Sequence, residues 1–136
     1  MTQPTHHRII VSERGGPQVL RLVEEPIPVA GPGEARVRVE AAGVSAYDVM
    51  LRGHRFPGFT KVPYTPGCDF VGVVEEVGAG VEGLEPGRRV AASTGLGDGG
   101  YAETICQPAD RLVLVPDGVD PAEAACLPAN YLTAYL

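Results

Sequence analysis

The chain has 136 residues, of which 44% are hydrophobic and 21% are charged, and its formal net charge at pH 7 is −6. A chain of this length suits one domain that buries roughly two thirds of its unfolded surface. The negative charge and the lack of a basic stripe argue against nucleic-acid binding. No apolar run approaches the roughly 18 residues that a membrane span needs. We therefore expect a globular domain that neither binds nucleic acid nor spans a membrane.

The three cysteines, Cys68, Cys106 and Cys126, are odd in number and include no CxxC pair. This pattern is not that of a disulfide framework or a structural zinc site, so we expect a reducing, cytoplasmic environment. The adjacent His6 and His7 could bind a metal as a pair, but a polar, unstructured chain start is the favoured interpretation.

The first elements along the chain are predicted to be strands. Residues 8–11 and 18–23 are apolar runs on either side of a turn at Glu13-Arg14-Gly15-Gly16-Pro17. Prolines and glycines then interrupt the pattern. Residues 34–41 alternate small or apolar side chains with charged ones, which predicts a strand with one face in water.

A short helix is predicted from Ser45 to Leu51. Ser45 suits the N-cap, and Asp48 at the third helical position nearly completes a capping box. The loop at 52–66 that follows is long and rich in glycine and proline, and loops of this length often have a function. It contains His54, Phe56, Phe59 and Tyr64.

The segment Pro66–Gly78 predicts a central strand, since residues 70–74 are apolar on both faces. Further short strands are predicted at 89–92, 101–106 and 112–115. A spacing of about ten to twelve residues between strands indicates a barrel or a sandwich.

The last part of the chain is predicted to be helical. Asp120-Pro121-Ala122-Glu123 combines an N-cap residue, a proline at the first helical position and an acidic third residue. Pro128 interrupts this helix, and residues 130–136 begin another apolar helical segment without a stop signal. We expect this chain to be a fragment of a longer protein.

Six short segments occur in a characteristic order. They are Val37–Val44, Ser45-Ala46-Tyr47-Asp48, Pro66-Gly67-Cys68-Asp69-Phe70-Val71-Gly72, Glu85-Pro86-Gly87-Arg88-Arg89-Val90, Gly99-Gly100-Tyr101-Ala102-Glu103 and Leu132-Thr133-Ala134-Tyr135. Each is weak alone, but their order resembles the N-terminal, GroES-like domain of the medium-chain dehydrogenase/reductase superfamily. Within it, the chain is most similar to the zinc-independent quinone oxidoreductases and the VAT-1-like proteins, from about residue 8 to the last residue.

The resemblance implies a mainly β fold, a GroES-like, partly open β-barrel with short helices. Residues 1–119 would form the substrate-side domain, and residues 120–136 would be a helical connection to a Rossmann domain that is absent from this chain. The glycine-rich dinucleotide fingerprint belongs to that second domain. Residues 95–100 come closest to it here, but they lie between two predicted strands and are interpreted as a hairpin loop.

The resemblance also indicates which positions would carry zinc ligands. Members that bind catalytic zinc have a cysteine at the position of Ser45 and a His-Glu pair at the position of Cys68-Asp69. The four clustered cysteines of the structural zinc lobe are also missing, because residues 92–100 contain none. We therefore expect no metal. For Cys68 three roles stay open: a buried apolar residue, a zinc ligand and a reactive thiol.

Without a Lewis acid, quinones and α,β-unsaturated carbonyls are better substrates than alcohols, because conjugation spreads the charge that arrives with hydride. The resemblance implies reduction with NADPH in a cytoplasmic homodimer, and no activity of this chain alone. Two alternatives are a non-catalytic GroES-like interaction module and a zinc-dependent alcohol dehydrogenase that uses Cys68 and Asp69.

The resemblance assigns roles to residues of this chain. Tyr47 and Asp48 are the candidate catalytic residues, although Tyr47 is as readily a core or rim aromatic, and Asp48 a helix cap. The candidate cofactor-binding residues are Ser45, Asn130, Thr133 and Tyr135, and Ser45 is equally suited to helix capping. The candidate substrate loop carries His54, Phe56, Phe59 and Tyr64, most of which are expected to pack within the loop, with His54 at the surface.

Overall fold

The computed structural model describes residues 3–95 and 99–136. The short α-helices in these ranges are α1 (Ala46–Arg52), α2 (Pro121–Ala125) and α3 (Leu132–Tyr135), and a π-helical turn (Leu127–Tyr131) joins α2 to α3. The strands are β1 (Thr5–Val11), β2 (Leu20–Pro26), β3 (Glu34–Ala42), β4 (Asp69–Val77), β5 (Arg89–Ser93), β6 (Thr104–Pro108) and β7 (Val113–Leu114).

Within the described residues, the strands form two antiparallel sheets. β1 and β2 make a hairpin, and the other five strands are arranged in the order β6-β3-β4-β5-β7. Backbone bridges at Arg8–Ala102 and Val11–Tyr64 attach the hairpin to the rest of the domain. The expected mainly β fold with short helices is therefore confirmed, and within the described ranges the sheets stay open and do not close into a barrel.

β4 is the central strand, as predicted from its apolar character. Phe70 and Val74 pack into one core cluster, together with Ala35, Val37, Val90, Ala92 and Ile105. Val71 packs into a second cluster on the other face, with Ala91, Val115, Ala124 and Ala125, and two of those residues belong to α2. Alternate side chains of β4 thus enter two separate cores, which explains why residues 70–74 show no polar face.

The pairing of β3 with β4 brings two backbones unusually close at Gly72. The register shifts between Arg36 and Val37 and again between Val39 and Ala41, as in β-bulges. A Cβ atom on Gly72 would overlap the carbonyl oxygen of Arg38. The absence of a side chain at this position allows the strands to bend here.

The prediction of an unstructured chain start at His6 and His7 is wrong. Both residues belong to β1, whose pairing with β2 extends as far as Thr5 opposite Pro26. His6 is only 3% exposed, and its Nε2 lies 3.4 Å from a carboxylate oxygen of Glu25. β1 extends towards the N-terminus beyond its apolar residues because β2 pairs with it as far as Pro26.

The strand predicted at 101–106 begins later, at Thr104. Gly99, Gly100 and Tyr101 instead donate backbone hydrogen bonds to the carbonyls of Thr65, Gly67 and Pro66. The hairpin loop predicted at 95–100 lies mostly outside the described residues, which leave out 96–98.

Candidate active-site cleft

Helix α1 begins as the sequence predicts. Ser45 is its N-cap and Asp48 is the third helical residue, and the two form a capping box. The Ser45 backbone N–H donates to Asp48 Oδ2 over 2.9 Å. This arrangement fixes the direction in which the first turn of α1 presents Ser45 and Tyr47.

The Asp48 carboxylate also binds groups outside its own helix. Asp48 is 6% exposed, and its Oδ1 accepts a hydrogen bond from the Gly67 N–H over 2.9 Å. Its Oδ2 accepts one from the Tyr101 hydroxyl over 3.2 Å, and the Cys68 Sγ lies 3.8 Å from Oδ1. Asp48 therefore joins α1 to the start of β4 and to the turn before β6.

A cleft of about 510 Å³ opens between the start of α1, the β4–β5 edge and the C-terminal helical segment. Four of the residues assigned to catalysis or cofactor binding line it together: Ser45, Tyr47, Asn130 and Thr133. Its other described lining residues are Ala46, Cys68, Ser93, Gly95, Pro128 and Ala129. Residues 85 positions apart in the sequence, Ser45 and Asn130, thus share one cavity.

Two of the assigned residues do not line this cleft. Asp48 lies behind it, with its carboxylate oxygens bound to the groups named above. Tyr135 is 87% exposed and also lies outside the lining.

The C-terminal wall of the cleft depends on an irregular helix. Asp120 caps α2 by accepting hydrogen bonds from the N–H groups of Ala122 and Glu123, as predicted. Pro128 has no N–H to continue a regular helix, and the chain widens into a π-helical turn in which Tyr131 N–H donates to the Cys126 carbonyl over 3.2 Å. Such turns often occur at functional sites.

The aromatic residues of the candidate substrate loop pack mainly on one another. Phe56 contacts Tyr47 with a ring-centroid distance of 4.8 Å, and Phe59 contacts Tyr64 at 5.1 Å, both edge to face. Phe56 therefore supports Tyr47, which lines the cleft, whereas Phe59 packs on Tyr64, which does not line it.

The two remaining loop residues point elsewhere. Tyr64 is 3% exposed and lines a different cavity, of about 630 Å³, next to His6 and Arg8. His54 is exposed, with a positive φ of 61°, and its ring contacts Arg14. Neither side chain lines the cleft that contains Ser45 and Thr133.

The cleft floor holds a neutral thiol. Burial, together with the nearby carboxylates of Asp48 and Asp69, raises the pKa of Cys68 to about 12. Burial also raises the pKa of Asp69, against the lowering effect of the Gly43 N–H, which donates to its Oδ1. The raised pKa of Cys68 keeps its thiol protonated at neutral pH, which disfavours a nucleophilic role.

The described residues bring too few ligands together for a catalytic zinc site. A zinc ion needs three protein ligands, and Ser45 stands where the first cysteine would be. Within residues 3–95 and 99–136, no three His, Cys, Asp or Glu side chains group closely enough to hold a metal ion.

Sequence reasoning missed two residues of this region. Ser93 lines the cleft but lies one residue beyond the strand predicted at 89–92. Tyr101 belongs to one of the six ordered motifs, but its hydrogen bond to Asp48 depends on a turn where the sequence pattern predicts a strand. No helix in the described part of the chain is long and apolar enough to cross a membrane.

The chain is similar in sequence and in fold to several known proteins. Residues 31–117 match the family described as Alcohol dehydrogenase GroES-like domain. The chain is 34% identical over 128 residues to the human synaptic vesicle membrane protein VAT-1 homolog-like, covering 94% of this chain and 30% of that protein. The crystal structure of that human protein superimposes with a TM-score of 0.89 over 97% of this chain and 42% of the other.

Quinone oxidoreductases are similarly close. The chain is 34% identical over 128 residues to the quinone oxidoreductase of Lama guanicoe, covering 93% of this chain and 38% of that protein. The crystal structure of the Escherichia coli quinone oxidoreductase complexed with NADPH is 26% identical, with a TM-score of 0.83 over 95% of this chain and 39% of the other. The chain thus spans less than half the length of these relatives.

The matched family, the six ordered motifs and the shared architecture agree with one another. This chain belongs to the alcohol dehydrogenase GroES-like domain family, within the medium-chain dehydrogenase/reductase superfamily.

Proposed function

We propose that this chain forms the substrate-side half of an NADPH-dependent, zinc-independent oxidoreductase that reduces quinones or α,β-unsaturated carbonyls. The observation that carries the proposal is the meeting of Ser45, Tyr47, Asn130 and Thr133 in one cleft. Relatives named quinone oxidoreductase, one of them solved with NADPH, support the reaction type.

The cleft contains polar groups of the kind that a nicotinamide ring requires. Asn130 offers an amide, and Ser45 and Thr133 offer hydroxyl groups that both donate and accept hydrogen bonds. These three residues would hold the carboxamide and ribose end of the cofactor, which when bound supplies a hydride to the substrate. Tyr135, 87% exposed, is assigned to a contact with the cofactor outside the cleft.

Tyr47 is the proposed hydrogen-bond donor to the substrate carbonyl oxygen. Burial raises the pKa of its phenol, and Cys68 adds to this effect, so that the hydroxyl stays protonated at neutral pH. Its ring is supported by Phe56, which limits where the hydroxyl points. A fixed donor of this kind stabilises the negative charge that develops on the carbonyl oxygen as hydride arrives.

Asp48 would act through its neighbours. Its carboxylate fixes Ser45 and Tyr101 and holds the start of α1, on which Tyr47 sits. We therefore assign Asp48 to positioning rather than to a direct contact with substrate. The loop residues Phe56 and Phe59 are assigned to the support of the substrate side, and His54 and Tyr64 to its outer edge.

The proposed division of the chain places the substrate-side domain at 1–119 and the helical connection at 120–136. Activity would need a nucleotide-binding domain, because this chain has no glycine-rich dinucleotide fingerprint between a strand and a helix. We also propose a cytoplasmic homodimer for the complete enzyme.

The proposal is tested by NADPH oxidation with the full-length protein that the gene encodes. The substrates are a quinone, an α,β-unsaturated ketone and a simple alcohol with NADP⁺ in the reverse direction. We expect turnover of the quinone or the enone and none of the alcohol. Turnover of the alcohol alone supports the zinc-dependent alternative, and no turnover of any substrate supports the non-catalytic interaction module.

A further inference from the structure

Arg14 is a half-buried cation in the turn between β1 and β2, outside the cleft and without a part in the reaction described so far. Two hydrogen bonds fix this turn on the last residue of α1. The Gly15 N–H donates to the Arg52 carbonyl over 3.0 Å, and Arg52 Nε donates to the Gly15 carbonyl over 3.2 Å. The backbone that carries Arg14 is therefore held in place next to α1.

The guanidinium of Arg14 contacts the candidate substrate loop at two places. Its Nη2 donates to the carbonyl of Phe59 over 3.2 Å, and its Nη1 contacts Nδ1 of His54. A guanidinium presents its N–H donors in a rigid fork, so it can hold two acceptors at once. One side chain thus joins the first and the last residue of the segment 54–59 to the β1–β2 turn.

The conformation of the segment 54–59 indicates that it needs such contacts. His54 has a φ of 61°, in the left-handed region that is unfavourable for a residue with a side chain. His54, Arg55, Pro57 and Gly58 are exposed, and only the two phenylalanines are half-buried. A segment with so few buried side chains opens easily unless other contacts hold it.

The segment leads to the cleft through Phe56. The Phe56 ring lies edge to face on Tyr47, which lines the cleft, with a centroid distance of 4.8 Å. Tyr47, Phe56 and Phe59 all pack against a third core cluster, formed by Val11, Val19, Leu51 and Tyr64. A shift of the segment therefore changes the packing around Tyr47, whereas Asn130 and Thr133 belong to the C-terminal wall of the cleft.

We propose that Arg14 is a positioning residue that clamps the segment 54–59 against the β1–β2 turn and thereby holds Phe56 on Tyr47. The clamp itself is defined by the contacts of Arg14 with His54 and Phe59. Its consequence for substrate binding rests on the function proposed above, in which Tyr47 donates to the substrate. The clamp therefore acts on the quinone or enone and not on the cofactor.

Hydrogen exchange of the full-length protein, followed by mass spectrometry, tests the clamp. In Arg14→Met, which keeps the aliphatic stem but has no donor, amides in peptides that cover residues 53–60 exchange about fivefold faster, because the segment loses its bonds to the guanidinium. Arg14→Lys keeps the charge but has one nitrogen in place of the fork, so it gives a smaller increase. It is also the variant to measure if Arg14→Met does not fold.

The matched control is Arg21→Met, which removes an exposed arginine of the same hairpin. This control leaves exchange at residues 53–60 at the wild-type rate. The clamp is overturned if this segment exchanges at the wild-type rate in the Arg14 variants, or if Arg21→Met speeds its exchange as much as Arg14→Met does.

The consequence for the substrate is measured separately, by steady-state kinetics. Arg14→Met raises the KM for a quinone about threefold to tenfold and leaves the KM for NADPH unchanged, as does Arg21→Met for both. Loss of folded protein alone would lower the apparent kcat and leave both KM values unchanged. An unchanged quinone KM together with faster exchange, or an equal rise of both KM values, contradicts the positioning role. A wild-type protein that oxidises no NADPH contradicts the proposed function, and the exchange result still decides the clamp.

Discussion

The hydroxyl of Tyr101 donates a hydrogen bond to the carboxylate of Asp48 over 3.2 Å, which links the turn before β6 to the first turn of α1. The same carboxylate accepts hydrogen bonds from the backbone of Ser45 and of Gly67. Burial raises the pKa of Tyr101 and the nearby Asp48 raises it further, so the phenol remains a donor throughout the physiological range. The start of α1, the residue before Cys68 and the turn before β6 thus depend on one buried side chain.

Removal of the Asp48 carboxylate should destabilise the domain. We expect Asp48→Ala to lower the free energy of unfolding by about 3 kcal/mol, because three donors lose their acceptor and at least one stays buried. The N-cap variant Asp120→Ala should cost about 1 kcal/mol. Urea unfolding of both variants checks the difference, and an equal cost for the two would contradict the central place of Asp48.

The close approach of β3 and β4 predicts a severe effect of a single methyl group. Gly72→Ala should lower the free energy of unfolding by about 3 kcal/mol or more, since the added Cβ meets the backbone of Arg38 rather than a flexible side chain. Gly80→Ala, at a position with φ of 79° and open space, should cost about 1 kcal/mol. Similar unfolding midpoints for the two variants would contradict the prediction, because they would mean that β3 and β4 can move apart to make room for the methyl group.

The buried thiol of Cys68 predicts a loss of stability at high pH. Its pKa rises from 9.0, the ordinary value for a cysteine thiol, to about 12 in the folded chain. Between these values the unfolded chain has lost a proton that the folded chain still binds, so the free energy of unfolding falls as pH rises from about 9 to about 12. Below about pH 9 the thiol is protonated in both the folded and the unfolded chain, so it causes no further change in the free energy of unfolding.

The variant Cys68→Ala isolates this contribution. It should make the decline of stability above pH 9 less steep, and part of the decline should remain, because the pKa of Cys106 is also raised, to about 11, mainly by burial. Cys126→Ala, at an exposed position, is the control and should keep the wild-type slope. Denaturant unfolding at a series of pH values measures the slopes, and identical slopes in Cys68→Ala and wild type would contradict the prediction.

The proposed hydrogen bond from Tyr47 predicts an effect on turnover. In the full-length protein, Tyr47→Phe should lower kcat for a quinone roughly threefold to tenfold, which is the range that one hydrogen bond contributes. The ring and its contact with Phe56 remain, so stability should be unchanged. Tyr131→Phe, outside the cleft lining, is the matched control, and an equal effect of both substitutions would remove Tyr47 from the reaction.

Much of the fold could be predicted because local signals and burial agree. The capping residues Ser45 and Asp120 mark the starts of α1 and α2. The run at 70–74, which is apolar on both faces, marks the central strand. The extent of β1 could not be predicted, because His6 owes its strand conformation to pairing with Glu25 on β2. The predicted start of β6 is too early, since Tyr101 is held by hydrogen bonds to a distant segment.

The candidate site could be predicted in part, because some of its residues belong to recognisable sequence motifs. Motifs identify Ser45, Tyr47 and Thr133, the resemblance adds Asn130, and the structure brings the four together. The sequence could not show that Tyr64 turns towards another cavity, because that depends on its bridge to Val11. The sequence could not show that Asp69 accepts a hydrogen bond from the Gly43 N–H, because the two positions are far apart in the chain.

The most direct test of the zinc-independent mechanism is NADPH oxidation by the full-length protein with a quinone, after exhaustive dialysis against a zinc chelator. We predict the same kcat/KM before and after dialysis, with no change when zinc is added back, because the proposed reaction relies on a hydrogen bond from Tyr47 and not on a metal ion. Loss of activity on dialysis and its recovery with zinc would contradict this mechanism.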